Sequence, residues 1–106
     1  MTPLRQRTYQ LLKQVSKGRV TTYKALADAL GTKAYRAIGQ FMRHNPDAPN
    51  TPCHRVVASD GTIGGFMGST DGKEIQKKIS MLKKEDIKIN GTKIANFDIV
   101  QFTRFR

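Results

Sequence analysis

Tryptophan is missing from this chain, and cysteine occurs once. A single thiol forms no internal disulfide, so the chain is not a cross-linked secreted scaffold; it suits a reducing cytoplasm. One cysteine and two histidines supply a zinc site poorly, and no metal is expected. No apolar stretch approaches the ~20 residues that cross a bilayer. The start of the chain, Met1 to Arg5, runs into a polar helical pattern with no signal-peptide core. These absences point to a cytoplasmic protein without a membrane partner. Acidic side chains are scarce as well: 8 Asp and Glu against 19 Lys and Arg give a formal net charge of +11 on 106 residues. Such a field favours polyanions, nucleic acid first among them. A merely basic surface is the bland reading. An anionic membrane is the third, but no segment joins a basic face to a bulky apolar anchor. The rest of the composition, 38% hydrophobic and 25% charged, suits one compact domain over residues 1–106.

Hydrophobic spacing predicts a helix from Thr2 to Ser16, with Thr2 as N-cap, Pro3 at the first helical position, and Leu4, Tyr9, Leu11, Leu12 and Val15 inward. Thr22 is a candidate N-cap for a second helix, Tyr23 to Leu30, closed by Gly31. A third runs from about Lys33 to His44, with Ala37, Ile38, Phe41 and Met42 on one face. Helix, short glycine-containing turn, helix is the helix-turn-helix pattern. Lys33, Arg36, Gln40 and Arg43 fall on its outer face, suited to a phosphate backbone or simply to solvent. Asn45 to Pro52 is turn chemistry throughout. Arg55 to Ala58 is a short apolar strand, Ser59 to Thr62 a tight turn, and Ile63 to Gly68 a glycine-rich loop. A lysine-dense helix from about Asp71 to Lys84 carries Ile75, Ile79 and Leu82 as its stripe. Ile87 to Ile89 and Ile94 to Phe102, with Asn90-Gly91 between, suggest a hairpin or short extended pieces. The fold class expected is α-rich with minor β content: a winged-helix-like helix-turn-helix domain with a small β element and a C-terminal helix.

The sharpest signal is Pro52-Cys53-His54-Arg55-Val56. A lone cysteine is commonly a small buried hydrophobe. A nucleophilic thiol must ionise, which needs a base or a positive field close by. His54 and Arg55 follow directly in sequence, and the proline-rich approach frees the geometry from strict strand alternation. On these residues alone, a nucleophile and an inert core thiol both remain open.

Four strings in order settle the resemblance: Gly18 to Ala27, Arg36 to Pro46, Pro52 to Val56, and Val56 to Phe66. Together they resemble the O6-alkylguanine-DNA alkyltransferases. The resemblance implies repair of DNA by stoichiometric transfer of an alkyl group from O6 of a flipped guanine to Cys53, without cofactor. His54 would act as base through a bridging water, and Glu85 would orient it. Glu85 is placed by a lysine, leucine pair, glutamate pattern that reads here as Lys78, Met81, Leu82, Glu85. Asn45 would stitch the helix-turn-helix to the active-site loop. Tyr23 would crowd the target's phosphate, promote flipping and supply a proton to the leaving guanine. Arg36 would fill the vacated stack. Thr22, Lys33, Ala37, Gln40 and Arg43 complete the implied DNA contacts. Val56, Phe66, Met67 and Arg55 make the implied base pocket; Cys53 is expected to lie in a pocket lined by Tyr23, Val56 and Phe66, not in the middle of the apolar core.

The chain departs from the family pattern at some points. The N-terminal domain that most members carry is not in it. Phe66 stands where a tyrosine is frequent, the stretch from Gly68 to Lys78 is longer than usual, and Pro46 to Thr51 differs. The tail through Phe102 resembles the short alkyltransferase-like proteins, which bind lesions without repairing them and replace the cysteine. Cys53 is present here. The expected partner is therefore double-stranded DNA containing O6-alkylguanine, met by a monomer. The alternative is a lesion sensor that recruits other repair proteins. A plain winged-helix regulator would leave the cysteine motif unexplained.

Overall fold

A computed structural model describes residues 3–47, 50–64 and 72–106 of the chain. Three helices come first: α1 (Leu4–Leu12), α2 (Tyr23–Leu30) and α3 (Tyr35–Arg43). A 3-10 turn over Cys53–Arg55 leads into strand β2 (Val56–Val57), which pairs in parallel with β1 (Thr21–Thr22), Thr21 opposite Val56 and Thr22 opposite Val57. Then come α4 (Gly72–Lys84), the antiparallel pair β3 (Ile89–Asn90) and β4 (Lys93–Ile94), and a last turn of helix, α5 (Phe97–Val100). The expected α-rich class with a small β element is the fold observed.

α2 has the predicted bounds because both ends carry local signals. Thr22 Oγ1 accepts a hydrogen bond from the Ala25 amide at 2.9 Å. Gly31 takes the left-handed conformation (φ +68°), which lets the Thr32 amide reach back to the Ala27 carbonyl at 3.0 Å.

Other bounds differ from expectation. α1 begins at Leu4, with Pro3 in the capping position instead of the first helical one; Thr2 lies outside the described residues. It ends at Leu12 and not at Ser16, because the next amides tighten to three-residue bonds, Gln14 to Leu11 and Val15 to Leu12. α3 starts two residues late: the Thr32 hydroxyl takes the Ala34 amide at 3.1 Å and holds that stretch in a turn. Arg55 belongs to the 3-10 turn, so the strand is shorter than predicted. Residues 94–102 are not extended throughout. Asn96 adopts φ +56° and opens α5, whose Val100 amide returns to the Asn96 carbonyl. The Asn90-Gly91 hairpin does form.

Two apolar clusters hold these pieces together. Leu12, Val15, Leu26, Ala27, Leu30, Ile38 and Met42 pack between the first three helices. Val20, Val57, Ile63, Leu82, Ile87 and Ile94 pack between the parallel strands, α4 and the hairpin. The tail straps the two: the Phe102 amide donates to Val20, and the Thr21 hydroxyl to the Phe102 carbonyl at 2.8 Å. The β1–β2 pair joins the helix-turn-helix to the chain that leaves Cys53, so both halves of the site share one core.

Candidate active site and nucleic-acid interface

Cys53 opens the 3-10 turn from a loop whose Thr51 and Pro52 are themselves buried. Its amide donates to the Thr51 carbonyl at 2.8 Å. Asn45, just beyond α3, organises this loop. Its Nδ2 donates to the same Thr51 carbonyl at 2.7 Å, its Oδ1 accepts the Asp47 amide at 3.0 Å, and its side chain hydrogen-bonds the thiol. The end of the helix-turn-helix is thereby tied to the cysteine.

Cys53 is 4% exposed and packs with Leu12, Val15 and Leu26. The buried Thr51-Pro52 approach brings the thiol into the apolar cluster that Tyr23 also packs against. Burial pushes the thiol's pKa up, against the Asn45 hydrogen bond and the charges of Lys78 and Lys77. At rest the sulfur is a thiol, and it needs a base.

His54, which the resemblance casts as that base, follows it in sequence. His54 Nε2 lies 3.0 Å from Glu85 Oε2. With a carboxylate there, Nε2 carries the proton and Nδ1 the free lone pair. Nδ1 is buried and has no partner among the described residues. Burial lowers the His54 pKa; Glu85 opposes this, while Arg55 and Lys78 add to it, and the imidazole is held neutral. Glu85 is already neutralised: Arg55 grips it with Nε at 2.9 Å and Nη2 at 2.7 Å, and its third nitrogen, Nη1, donates to the Val15 carbonyl at 2.7 Å. Burial would raise the Glu85 pKa, but the hydrogen bonds from Arg55 and His54 hold it below the usual range. Arg55, expected in the base pocket, is committed to this pair.

Lys78, used by sequence reasoning only as a register mark, is a buried cation beside the site. It is wholly buried, and its Nζ donates to the Val56 carbonyl at 2.7 Å and the Ile63 carbonyl at 2.5 Å. The carbonyl of Val56, a residue of the implied base pocket, thus already accepts one hydrogen bond. Burial lowers the ammonium's pKa to about 8, and the neighbouring Cys53 opposes that fall. The signal was present: Ile75, Lys78 and Leu82 lie at helical spacing, which puts a lysine inside the apolar stripe of α4.

Tyr23 heads α2 beside the thiol, and its phenol pKa is raised, by burial and then by Cys53. The outer face of α3 presents Arg36, Gln40 and Arg43, with Lys33 just before it, all exposed; Ala37 is half-buried. Thr22 is 2% exposed and its hydroxyl is spent on capping α2. Phe66 and Met67 lie outside the described residues. Among the described residues no three His, Cys, Asp or Glu side chains converge as metal ligands, and no helix is long and apolar enough to cross a membrane.

A helix-turn-helix module with a buried cysteine, a neutral histidine and a clamped glutamate at its back defines the class. Residues 3–87 match the DNA-binding domain of 6-O-methylguanine DNA methyltransferase, and the chain belongs to that family. It is 44% identical over 87 residues to a bifunctional methyltransferase/endonuclease of Picrophilus torridus, covering 81% of this chain and 28% of that one. It is 39% identical over 89 residues to the methylated-DNA--protein-cysteine methyltransferase of Metallosphaera sedula, covering 84% and 54%. The chain thus spans about half or less of the length of these curated relatives. The O6-methylguanine-DNA methyltransferase of Pyrococcus kodakaraensis strain KOD1 superposes with a TM-score of 0.68 at 41% identity, covering 82% of this chain and 48% of that one. S. pombe Atl1, solved with DNA containing O6-carboxymethylguanine, superposes at 0.78 with 25% identity, covering 98% and 100%.

Proposed function

We propose that this protein repairs DNA by moving an alkyl group, methyl above all, from O6 of an extruded guanine to Cys53, once per molecule and without cofactor. The observation that carries the reading is the neutral His54, its Nδ1 lone pair buried and its Nε2 fixed on Glu85 next to a thiol that cannot ionise unaided. His54 takes the thiol proton through one water, and Glu85 stabilises the imidazolium. The sulfur attacks the alkyl carbon; the C–S bond forms as the C–O bond breaks, and its electrons stay on the guanine. The Tyr23 phenol, kept protonated by its raised pKa, donates to the leaving base. His54 returns the equivalent proton, so the thiol has lost one proton and guanine has gained one. The thioether is not hydrolysed, which limits each molecule to one reaction.

Extrusion costs a few kcal/mol. Arg36, exposed on the outer face of α3, fills the gap with a planar cation. Lys33, Gln40 and Arg43 hold the phosphates on either side. The complex is one protein molecule per lesion in double-stranded DNA, in an intracellular, cytoplasmic setting.

One observation favours a second reading. The fold matches Atl1 over that protein's whole length, and Cys53 is 4% exposed. A lesion sensor that hands O6-alkylguanine to other repair proteins would use the same surface and leave the thiol unreacted. Mass spectrometry after mixing with O6-methylguanine duplex separates the two: a methyl gained on the Cys53 peptide is transfer, and tight binding with no gain is sensing.

A further inference from the structure

Tyr35 is the large hydrophobic residue that α3 leaves in solvent, 46% exposed at the helix's first position. It does not share the outward direction of Arg36. Successive helical residues are turned by about 100°, so Tyr35 faces the side toward α2, and a groove of about 530 Å³ opens there, lined by Tyr23, Lys24, Tyr35, Gly39, Ala58 and Ser59. Gly39, one turn below Tyr35, helps keep it open: a Cβ there would meet nothing within 4 Å. One end of the groove is Tyr23, the neighbour of Cys53. Lys24 on its wall is 64% exposed and pairs with Asp28 at 2.8 Å; exposed pairs of this kind contribute little and give way to a phosphate.

We propose that this groove takes the lesion-bearing strand where it leaves the duplex stack, and that Tyr35 is a specificity residue which stacks on the base flanking the extruded nucleotide. The proposal rests on the reading of this protein as one that binds flipped O6-alkylguanine. Charge and continuity select the occupant: a net charge of +11, a lysine on the wall, and a lining that includes Tyr23, the neighbour of Cys53. A nucleotide strand offers phosphate to Lys24 and a π-face to Tyr35 in alternation, the pairing that single-strand binding surfaces use. Arg36 and Tyr35 then divide the work. The arginine replaces the lost base inside the duplex, and the tyrosine holds the strand that has been drawn out.

The test uses the whole chain carrying Cys53→Ala, so that binding is read without consumption of the lesion. Affinity is measured for O6-methylguanine oligonucleotides, single-stranded and duplex, with the base on either side of the lesion present or replaced by an abasic nucleotide. Tyr35→Phe should bind within about twofold of the parent. Tyr35→Ala and Tyr35→Leu should lose about tenfold on single strand and duplex alike. Removing one flanking base should cost the parent a similar factor and cost Tyr35→Ala nothing further, the non-additivity expected of a direct contact. Arg36→Ala should lose affinity on duplex alone. Binding by Tyr35→Leu equal to the parent, or losses that simply add at both flanks, would overturn the stacking role. If the parent does not prefer methylated DNA, the lesion reading fails; Tyr35 is still judged by the abasic series on unmodified single strands.

Discussion

At the scale of single residues, the site is a set of burial penalties set against particular partners. His54 is neutral because desolvation outweighs Glu85, so its depressed pKa gives a definite sign. The folded protein resists the proton that the unfolded chain accepts. Stability is therefore complete above the ordinary histidine value of 6.5 and lost as pH falls through it toward the folded pKa. The rate of alkyl transfer should fall on acidification in the same window, with its inflexion below 6.5 in single-turnover pH profiles. A pH profile that His54→Gln leaves unchanged would remove His54 as the base. Lys78 gives the opposite experiment. Its folded pKa of about 8 lies below the ordinary lysine value of 10.5, so the unfolded chain holds more protons between those values and stability rises with pH across them. Lys78→Met should flatten that rise, by up to about 3 kcal/mol, when melting is compared with the parent from pH 7 to 10.5. Equal slopes would show that Lys78 is not the group responsible. Glu85→Gln leaves the Arg55 guanidinium without its carboxylate, and we expect a loss of about 2 kcal/mol in denaturant unfolding. Cys53 and His54 were legible because their types and adjacency state a chemistry. Arg55 was misplaced, since no linear pattern tells whether a guanidinium beside a nucleophile faces the ligand or the glutamate thirty residues on.

At the scale of elements, boundaries were legible where the chain carries its own stop signals. Thr22 and Gly31 delimit α2 through side-chain capping and a left-handed turn, both local, so the predicted and observed bounds coincide. Thr22→Ala should cost about 1 kcal/mol of stability in urea unfolding, with little effect on DNA affinity, because the hydroxyl is turned into the fold. A large loss of affinity at unchanged stability would mean that Thr22 meets DNA after all. Boundaries drifted where tertiary contacts decide. The end of α1 yields to tightened turns that still bury Val15. The extended reading of residues 94–102 missed α5, whose start depends on Asn96 in a left-handed conformation that sequence alone does not demand. Lys78 shows the same limit at the site. A lysine in an apolar stripe is visible in sequence, but the carbonyls that hold it, Val56 in β2 and Ile63 in the loop after it, are brought there by tertiary pairing with β1 and the hairpin.

At the scale of the whole molecule, a small domain carrying +11 meets DNA first through phosphates. Affinity for undamaged duplex should fall steeply as salt rises, as counterion release requires; a salt-independent affinity would contradict the charge argument. On the proposed reading, recognition and chemistry fall to separate parts of the domain: Arg36, Gln40 and Arg43 on the exposed face of α3, and Cys53, His54 and Glu85 in its buried interior. Cys53→Ala should therefore bind methylated duplex at least as persistently as the parent while transferring nothing. The central claim is the single-use cysteine, and it is tested most directly by titrating the wild-type chain against O6-methylguanine duplex and following the mass of the Cys53 peptide. We expect one methyl on Cys53 for each lesion removed, with activity exhausted at one equivalent. Lesions removed in excess of protein, or methyl lost from DNA while Cys53 keeps its mass, would contradict it.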